Sequence, residues 1–324
     1  MVITKTAAVL LAGERLPSGL PCALAEVLFE PVLHWALADL TDRGIDDVIL
    51  VAGDCAAEIA AYLAKTGREI PVTDRLPSLP EDALVIPCAT WPGRPEYLIR
   101  DGRSLWRCNE WVRRVILQRH MEAGVGIPCT DGVIVGREVQ IGSDTLLLPG
   151  TILRGKTVLG RGCTVGPQTM LTDTVVGDHC TLYAVQGEGA NVGDGTQLGP
   201  YVRLRPGAQL GRDIRVGNFV EIKNSTVGDR TKIAHLSYVG DAHFGRDVNV
   251  GCGLAVANYD GQQKHRTTVG DGAFLGCHNS LVAPIHIGPG AYTAAGSTLT
   301  QDVPAGALAF GRARQVNKAR DPDV

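Results

Sequence analysis

The sequence lacks the features that would place it in a membrane, in a disulfide-stapled class or on nucleic acid. No apolar run in its 324 residues approaches the about 20 needed to cross a bilayer. The opening Met1-Val-Ile-Thr-Lys-Thr has no basic stretch followed by an apolar core, so no secretory signal is expected. The nine cysteines are scattered and include no C-x-x-C pair. That argues against a disulfide framework or a structural zinc site and suits reduced thiols in the cytoplasm. A net charge of -3 offers nothing to attract nucleic acid or an acidic membrane surface. Otherwise the balance, 44% hydrophobic and 20% charged, is that of an ordinary folded chain, long enough for two domains with a core each.

Glycine divides the chain. Only seven of the 40 glycines fall in residues 1–105. This first part reads as a truncated α/β domain. Thr6–Leu11 and Asp47–Val51 are continuous apolar runs, as buried parallel strands require, and Leu84–Ile86 suggests a third. Helical spacing over Ala23–Leu40 and Ala56–Ala64 predicts two helices, whereas 68–82 and 87–105, rich in Pro, Gly and Arg, read as loops. Residues 110–120 predict a helix within a linker over 106–122, and a tail is expected over 315–324.

From about Val133 a period of six takes over. Val135, Ile141, Leu147, Leu153, Leu159, Val165 and Leu171 are evenly spaced. After five-residue steps the series resumes at Val176 and Leu182, restarts at Val192, and continues through Leu198, Leu204, Leu210, Val216, Ile222, Val227, Ile233, Val239, Phe244, Val250 and Val256. A last run covers Val269, Leu275, Leu281, Ile287, Thr293 and Leu299. Neither a 3.6-residue helix nor simple alternation gives that period. A β-solenoid does, with three short strands per coil, one inward aliphatic per strand and glycine in the turns. A domain over 123–314 is therefore expected. The break between Val256 and Val269 predicts a polar loop protruding from the scaffold, the kind of place where function concentrates.

Several motifs resemble one family in register: Tyr201-Val-Arg-Leu-Arg-Pro-Gly-Ala208, Val216-Gly-Asn-Phe-Val-Glu-Ile-Lys223, His235-Leu-Ser-Tyr-Val-Gly-Asp241, Val248-Asn-Val-Gly251 and Asn258-Tyr-Asp-Gly261. They are similar to the acetyltransferase half of the bifunctional bacterial N-acetylglucosamine-1-phosphate uridyltransferase/glucosamine-1-phosphate N-acetyltransferase. The resemblance implies a left-handed parallel β-helix preceded by a reduced Rossmann-like nucleotidyltransferase-type domain. It further implies a homotrimer and transfer of acetyl from acetyl-CoA to the amine of glucosamine-1-phosphate, a step toward UDP-N-acetylglucosamine and peptidoglycan. It places a general base at His235, phosphosugar contacts at Arg205, Lys223, Tyr238, Asn249, Asn258, Tyr259 and Lys264, and acetyl-CoA contacts at Cys252, Cys277, Ala295 and Arg312.

The residue types suit that chemistry. An amine must lose a proton to attack a thioester, and histidine, with an ordinary pKa of about 6.5, can take it. Fixed cations at Arg205, Lys223 and Lys264 suit a phosphate. Arg205 and Lys223 follow inward aliphatics and so point outward. His235 also falls just past an inward position, so the three are expected to line one face. No metal is needed in this scheme. His243, His265, His278 and His286 raise the alternative of zinc shared between protomers, without a ligand pattern to support it. Other readings are an enzyme for a different amino sugar or sugar nucleotide, or a non-catalytic sugar-nucleotide sensor.

The chain departs from the family in two places. Cys252 and Cys277 stand where small or hydroxyl residues are usual, as tolerated substitutions or as a covalent acetyl carrier. In the first domain, Glu14-Arg-Leu-Pro-Ser-Gly19 replaces the glycine-rich phosphate loop and brings a carboxylate where backbone N–H groups should cradle a triphosphate. Cys22 stands in a lysine's place, and Leu84-Val-Ile-Pro-Cys88 lacks the metal-binding Gly-Asp pair. Loss of uridylyl transfer is expected, with the remnant serving as a cap or assembly element.

Overall fold

A computed structural model describes residues 7–75, 84–88, 90–91 and 94–317. The opening hexapeptide, residues 76–82 of the expected loop and residues 318–324 of the expected tail lie outside them. The chain forms two compact units, Met1–Gln118 and Arg119–Val324.

The first unit is built on a four-stranded parallel sheet, in the order Val72–Thr73, Asp47–Val51, Ala7–Leu11, Leu84–Pro87. Three helices accompany it in sequence: α1 (Val32–Asp42), α2 (Ala56–Lys65) and α3 (Gly102–Glu122). The expected helix over 23–40 forms only in its second half. Pro31 has no N–H to donate into an earlier turn, and the helix starts immediately after it. Before it, Leu28 and Phe29 adopt φ of 46° and 74°, closing a two-residue hairpin between Glu26–Val27 and Glu30–Pro31, as positive φ at both central residues favours. The apolar spacing recorded burial, which a hairpin uses as well as a helix. The stretch read as loop from 87 contains an antiparallel strand pair, Thr90–Trp91 with Arg94–Leu98. Helix α3 begins earlier than expected because Asp101 and Ser104 cap it reciprocally, Ser104 N–H donating to Asp101 Oδ1 at 2.7 Å and Asp101 N–H to Ser104 Oγ at 2.9 Å.

The second unit is a left-handed parallel β-helix. Short strands repeat around three faces, each pairing in parallel register with the same face of the next coil. Face one holds strands such as Val202–Leu204 and Ala255–Ala257, face two Gln209–Leu210 and Thr226–Val227, and face three Gln197–Leu198 and Asn249–Val250. Nearly every aliphatic of the six-residue series is buried; Ile141, on the second strand, is partly exposed. The interruption after Leu182 is explained by strand Val185–Glu188. There Gly187 takes the inward slot between Leu171 and Leu204, and a Cβ on it would sit 2.8 Å from Leu171 Cδ2. Buried hydroxyls tie the coils together, for example Thr145 Oγ1 donating to Gly160 O at 2.8 Å and Thr231 Oγ1 to Gly245 O at 2.9 Å. Each such bond is worth about 0.5–1.5 kcal/mol net. Among the described residues, no helix is long and apolar enough to cross a membrane.

Candidate active site

Two strands set the frame. Arg215–Lys223 and Lys232–Gly240 are long enough to run from face three around a corner onto face one, and they pair along their length. His235 lies at that corner. The turn is made by Leu236 at φ 45°, a left-handed conformation costing about 1–2 kcal/mol for a residue with a Cβ. His235 pairs in register with Asn218, and its Nδ1 lies 2.8 Å from Asn218 Oδ1. With the amide oxygen facing it, Nδ1 is the donor of this pair, and Nε2 is the ring nitrogen left for a proton from elsewhere. A histidine oriented in this way is placed to accept a proton at Nε2. Asn218 stands within a motif that carries the resemblance, but nothing local marked its role, which depends on a neighbour one coil away.

The residues matched to acetyl-CoA contacts stack on the same corner. Cys252 follows His235 by one coil, with Val250 opposite Ile233 and Gly253 N–H donating to His235 O at 3.4 Å. Cys277 follows Cys252, His278 N–H donating to Cys252 O at 2.7 Å, and Ala295 follows Cys277, Gly296 N–H donating to Cys277 O at 2.8 Å. Arg312 closes the column, its Cδ 3.8 Å from the site of a Cβ on Gly296. The column runs along the helix axis at about 4.8 Å per coil. Beside its His235 end is a cavity of about 290 Å³ lined by Tyr183, Gln197, Arg215, Asn218 and His235, among others.

The phosphosugar set gathers elsewhere, at the corner that follows face one. Lys223 pairs in register with Gly240, five residues along the chain from His235, past the bend at Leu236 and across the width of face one. The expectation that His235, Arg205 and Lys223 line one face is therefore corrected: they flank face one on opposite edges. The distinction lies in counting repeats in threes: Leu204 and Ile222 are three units apart and precede the same corner, whereas Ile233 lies two units past Ile222 and precedes the other. Asn249 stays on the His235 side, on face three beside Lys232.

At the second corner Lys223 and Lys264 lie close enough that Lys264, with burial, pulls the Lys223 ammonium below its usual range while Asp241 opposes them. Arg205 Nη1 holds Glu221 Oε1 at 2.9 Å, which raises the guanidinium further. Asp241 is 8% exposed and accepts from Asn224 Nδ2 at 2.5 Å and from Asn258 Nδ2. Burial pushes its carboxyl up, but the two amides and the lysines hold it below the ordinary range. The loop that breaks the repeat is thus anchored by buried Asn258 and closed by the Tyr259–Lys264 bridge. Inside it, Asp260 accepts from the N–H groups of Gln262 and Gln263 at 2.8 and 2.7 Å and pairs with His265 Nε2 at 2.6 Å. Tyr238 lies between the corners, in register with Glu221. Sequence reading missed Asp241, whose value lies in what it organises. Among the described residues no three His, Cys, Asp or Glu side chains converge as a metal site.

In the first unit the loop after the first strand satisfies its own backbone. Leu16 N–H donates to Leu20 O, Gly19 N–H to Leu16 O and Cys22 N–H to Glu14 O, each at 2.8 Å. Arg15 spans Gly19 O, Asp54 O and Glu58. Those N–H groups and that guanidinium are engaged within the protein.

Fold and corner geometry define a hexapeptide-repeat β-helix protein with a histidine at one corner and a cationic loop at the next. No protein-family model matches the chain. It is 41% identical over 251 residues to the bifunctional protein GlmU of Geobacillus sp. (strain WCH70), covering 77% of this chain and 55% of that one. Against the bifunctional protein GlmU of Carboxydothermus hydrogenoformans it is 44% identical over 252 residues, covering 78% and 56%. Over the matched region the chain belongs to the GlmU family. It spans about half the length of these curated relatives. Among solved structures it is similar to a Francisella novicida UDP-N-acetylglucosamine acyltransferase (TM-score 0.41, 15% identity, 56% of this chain and 65% of that). It is also similar to a perosamine N-acetyltransferase from Caulobacter crescentus (TM-score 0.24, 13% identity, 94% and 93%). Neither score reaches 0.5, and neither bears on function.

Proposed function

We propose that this protein is a cytoplasmic, acetyl-CoA-dependent N-acetyltransferase converting glucosamine-1-phosphate to N-acetylglucosamine-1-phosphate, without uridylyl transfer. The observation that carries the reading is the Asn218–His235 pair at the head of the column that ends at Arg312. Acetyl-CoA would lie along Cys252, Cys277, Ala295 and Arg312 with its thioester toward His235. Nε2 takes a proton from the amine, the amine attacks the thioester carbonyl, and CoA leaves as thiolate. Proximity in the ternary complex supplies much of the rate, and no metal is required. Lys223, Lys264 and Arg205 would take the phosphate. Lys264 pulls the Lys223 ammonium down, and a dianion beside the pair would relieve that repulsion. Asn258, Tyr259, Tyr238 and Asn249 would take sugar hydroxyls and orient the amine.

The base and the phosphate site sit on opposite edges of one face, which supports a homotrimer joining one protomer's His235 corner to the next protomer's Lys223 corner. Tyr201, Phe219 and Leu236 form an exposed apolar ladder beside His235, each more than half exposed, with the two rings stacked at 5.3 Å. A second copy would cover it. For the first unit, the self-satisfied Glu14–Gly19 loop favours a cap or assembly role over nucleotide binding.

The test is CoA release from acetyl-CoA against a panel of amino sugars and their phosphates. Glucosamine-1-phosphate should be the preferred acceptor, His235→Ala should abolish release, and UTP should give no UDP-N-acetylglucosamine. Preference for another amino sugar would change the substrate. Release by His235→Ala at the normal rate would remove the mechanism.

A further inference from the structure

Cys252 and Cys277 stand one coil apart in the same corner column. Their strands pair in parallel register, Val250 opposite Leu275, and the link between the corners is tight, His278 N–H to Cys252 O at 2.7 Å. Residues so paired have Cα atoms about 4.8 Å apart, inside the about 4.4–6.8 Å that a disulfide accepts. Cys277 is exposed and Cys252 partly so. Both cysteines lie in the turns after their strands, Cys252 between Gly251 and Gly253 and Cys277 between Gly276 and His278.

A second stacked pair in the same β-helix makes a natural contrast. Cys163 and Cys180 are also one coil apart, Cys180 N–H donating to Cys163 Sγ at 3.4 Å. Both are about 1% exposed, and their thiols donate to the carbonyls of Gly177 and Gly193 at 3.1 and 3.2 Å. That pair has the spacing without the access. Thiol–disulfide exchange needs both, because a thiolate must meet a disulfide sulfur in solution.

We infer that Cys252 and Cys277 form a dithiol modification site that closes to a disulfide on exchange with a small-molecule disulfide, blocking the column reserved for acetyl-CoA. The second half of that statement rests on the proposed function; the closure itself does not. In the first step the Cys277 thiolate attacks one sulfur of the small disulfide, forming a mixed disulfide and releasing one thiolate. In the second the Cys252 thiolate attacks Cys277 Sγ, forming the protein disulfide and releasing the other thiolate. Two protein thiols are oxidised, one external disulfide is reduced to two thiols, and the two cysteine protons end on them. CoA disulfide, the oxidised form of the enzyme's own leaving thiol, is an oxidant of this class that the column would itself receive.

The full-length protein is incubated with CoA disulfide or oxidised glutathione, alkylated, digested and mapped by mass spectrometry. Peptides carrying Cys252 and Cys277 should appear linked, with two hydrogens lost, while Cys163 and Cys180 stay alkylatable only after denaturation. Cys252→Ser should stop the reaction at a mixed disulfide on Cys277, and Cys277→Ser should leave Cys252 largely unreacted. Acetyl-CoA present beforehand should slow closure, and dithiothreitol should reverse it together with the loss of acetyl transfer. A mixed disulfide persisting on Cys277 in the unsubstituted protein, or linkage to Cys129 instead, overturns the inference. Closure without any acetyl transfer activity overturns the proposed function and leaves this site standing. Closure that acetyl-CoA neither slows nor is blocked by removes only its connection to that substrate.

Discussion

Replacing Asp241 by asparagine probes whether the repeat-breaking loop is held by charge. The substitution keeps the shape and removes the carboxylate that accepts from Asn224 and Asn258. Two consequences add. Hydrogen bonds to a charged acceptor are worth about 1.5–3 kcal/mol each, against about 0.5–1.5 for neutral ones. The new amide also turns an N–H toward one of two donors, leaving a polar group unmatched at about 1–3 kcal/mol. Relaxation offsets part of this, and a net loss of about 2–4 kcal/mol in loop anchoring follows. Lys223 also loses the carboxylate that opposes the effect of Lys264 on its ammonium, so the repulsion between the two lysines is less compensated. If the loop positions the amino sugar before reaction, that energy appears as a rise in its KM of roughly 30- to 700-fold, at 1.4 kcal/mol per factor of ten. The KM for acetyl-CoA, proposed to bind on the other corner, should change little. The assay is initial-rate kinetics on Asp241→Asn with each substrate varied in turn, alongside circular dichroism. An unchanged amino-sugar KM in a folded variant would refute the argument that Asp241 organises the site.

Asn218→Ala should lower kcat/KM by roughly 10- to 150-fold, because the Nδ1 bond strengthens as the imidazolium forms and is worth about 1.5–3 kcal/mol in that state. Asn218→Asp should restore part of the rate and move the acid limb of the pH–rate profile upward, since a carboxylate favours imidazolium; an unmoved limb would exclude a positioning role. Gly217→Ala would drive a Cβ into the carbonyl oxygen of Ala234, a backbone atom, so a thermal scan should show about 1–3 kcal/mol of destabilisation or more. His120 is 6% exposed, its Nε2 has no hydrogen-bond partner, and burial first, then Arg119, lowers its pKa to about 4. The unfolded chain binds this proton from about pH 6.5, so stability falls as pH drops from about 6.5 to about 4 and levels off below. The loss is about 3 kcal/mol, and His120→Gln should flatten that part of a denaturation-midpoint profile against pH.

Much of the fold was legible in the chain because the β-helix is nearly one-dimensional. Each coil contacts only its neighbours, so the inward residue recurs along the sequence at a fixed step and leaves a periodic trace. Hence the series from Val135 to Leu299 matched buried positions, and the break after Val256 marked a real loop. The trace failed where a glycine took the inward slot at 187, since a missing side chain leaves no period to read. It also failed in the first unit, where apolar spacing before Pro31 fitted a helix and a hairpin equally. There, the proline's missing N–H and the positive φ of Leu28 and Phe29 decided the outcome.

The sequence by itself therefore determined the scaffold and the place of the loop, and its resemblance supplied the candidate residues on which the proposed function rests. The tertiary structure decided which of them meet across coils and which stay apart. Stacking of coils put His235, Cys252, Cys277, Ala295 and Arg312 on one column despite unequal spacings along the chain, and separated that column from Lys223, Lys264 and Asp241 by the width of a face. The physical reason is that position along the repeat fixes whether a side chain points in or out, while the corner it occupies depends on every insertion and deletion before it. Asn218 and Asp241 show the same limit: each acts through a partner one coil away, a relation that hydrogen bonding between coils creates and no local pattern records.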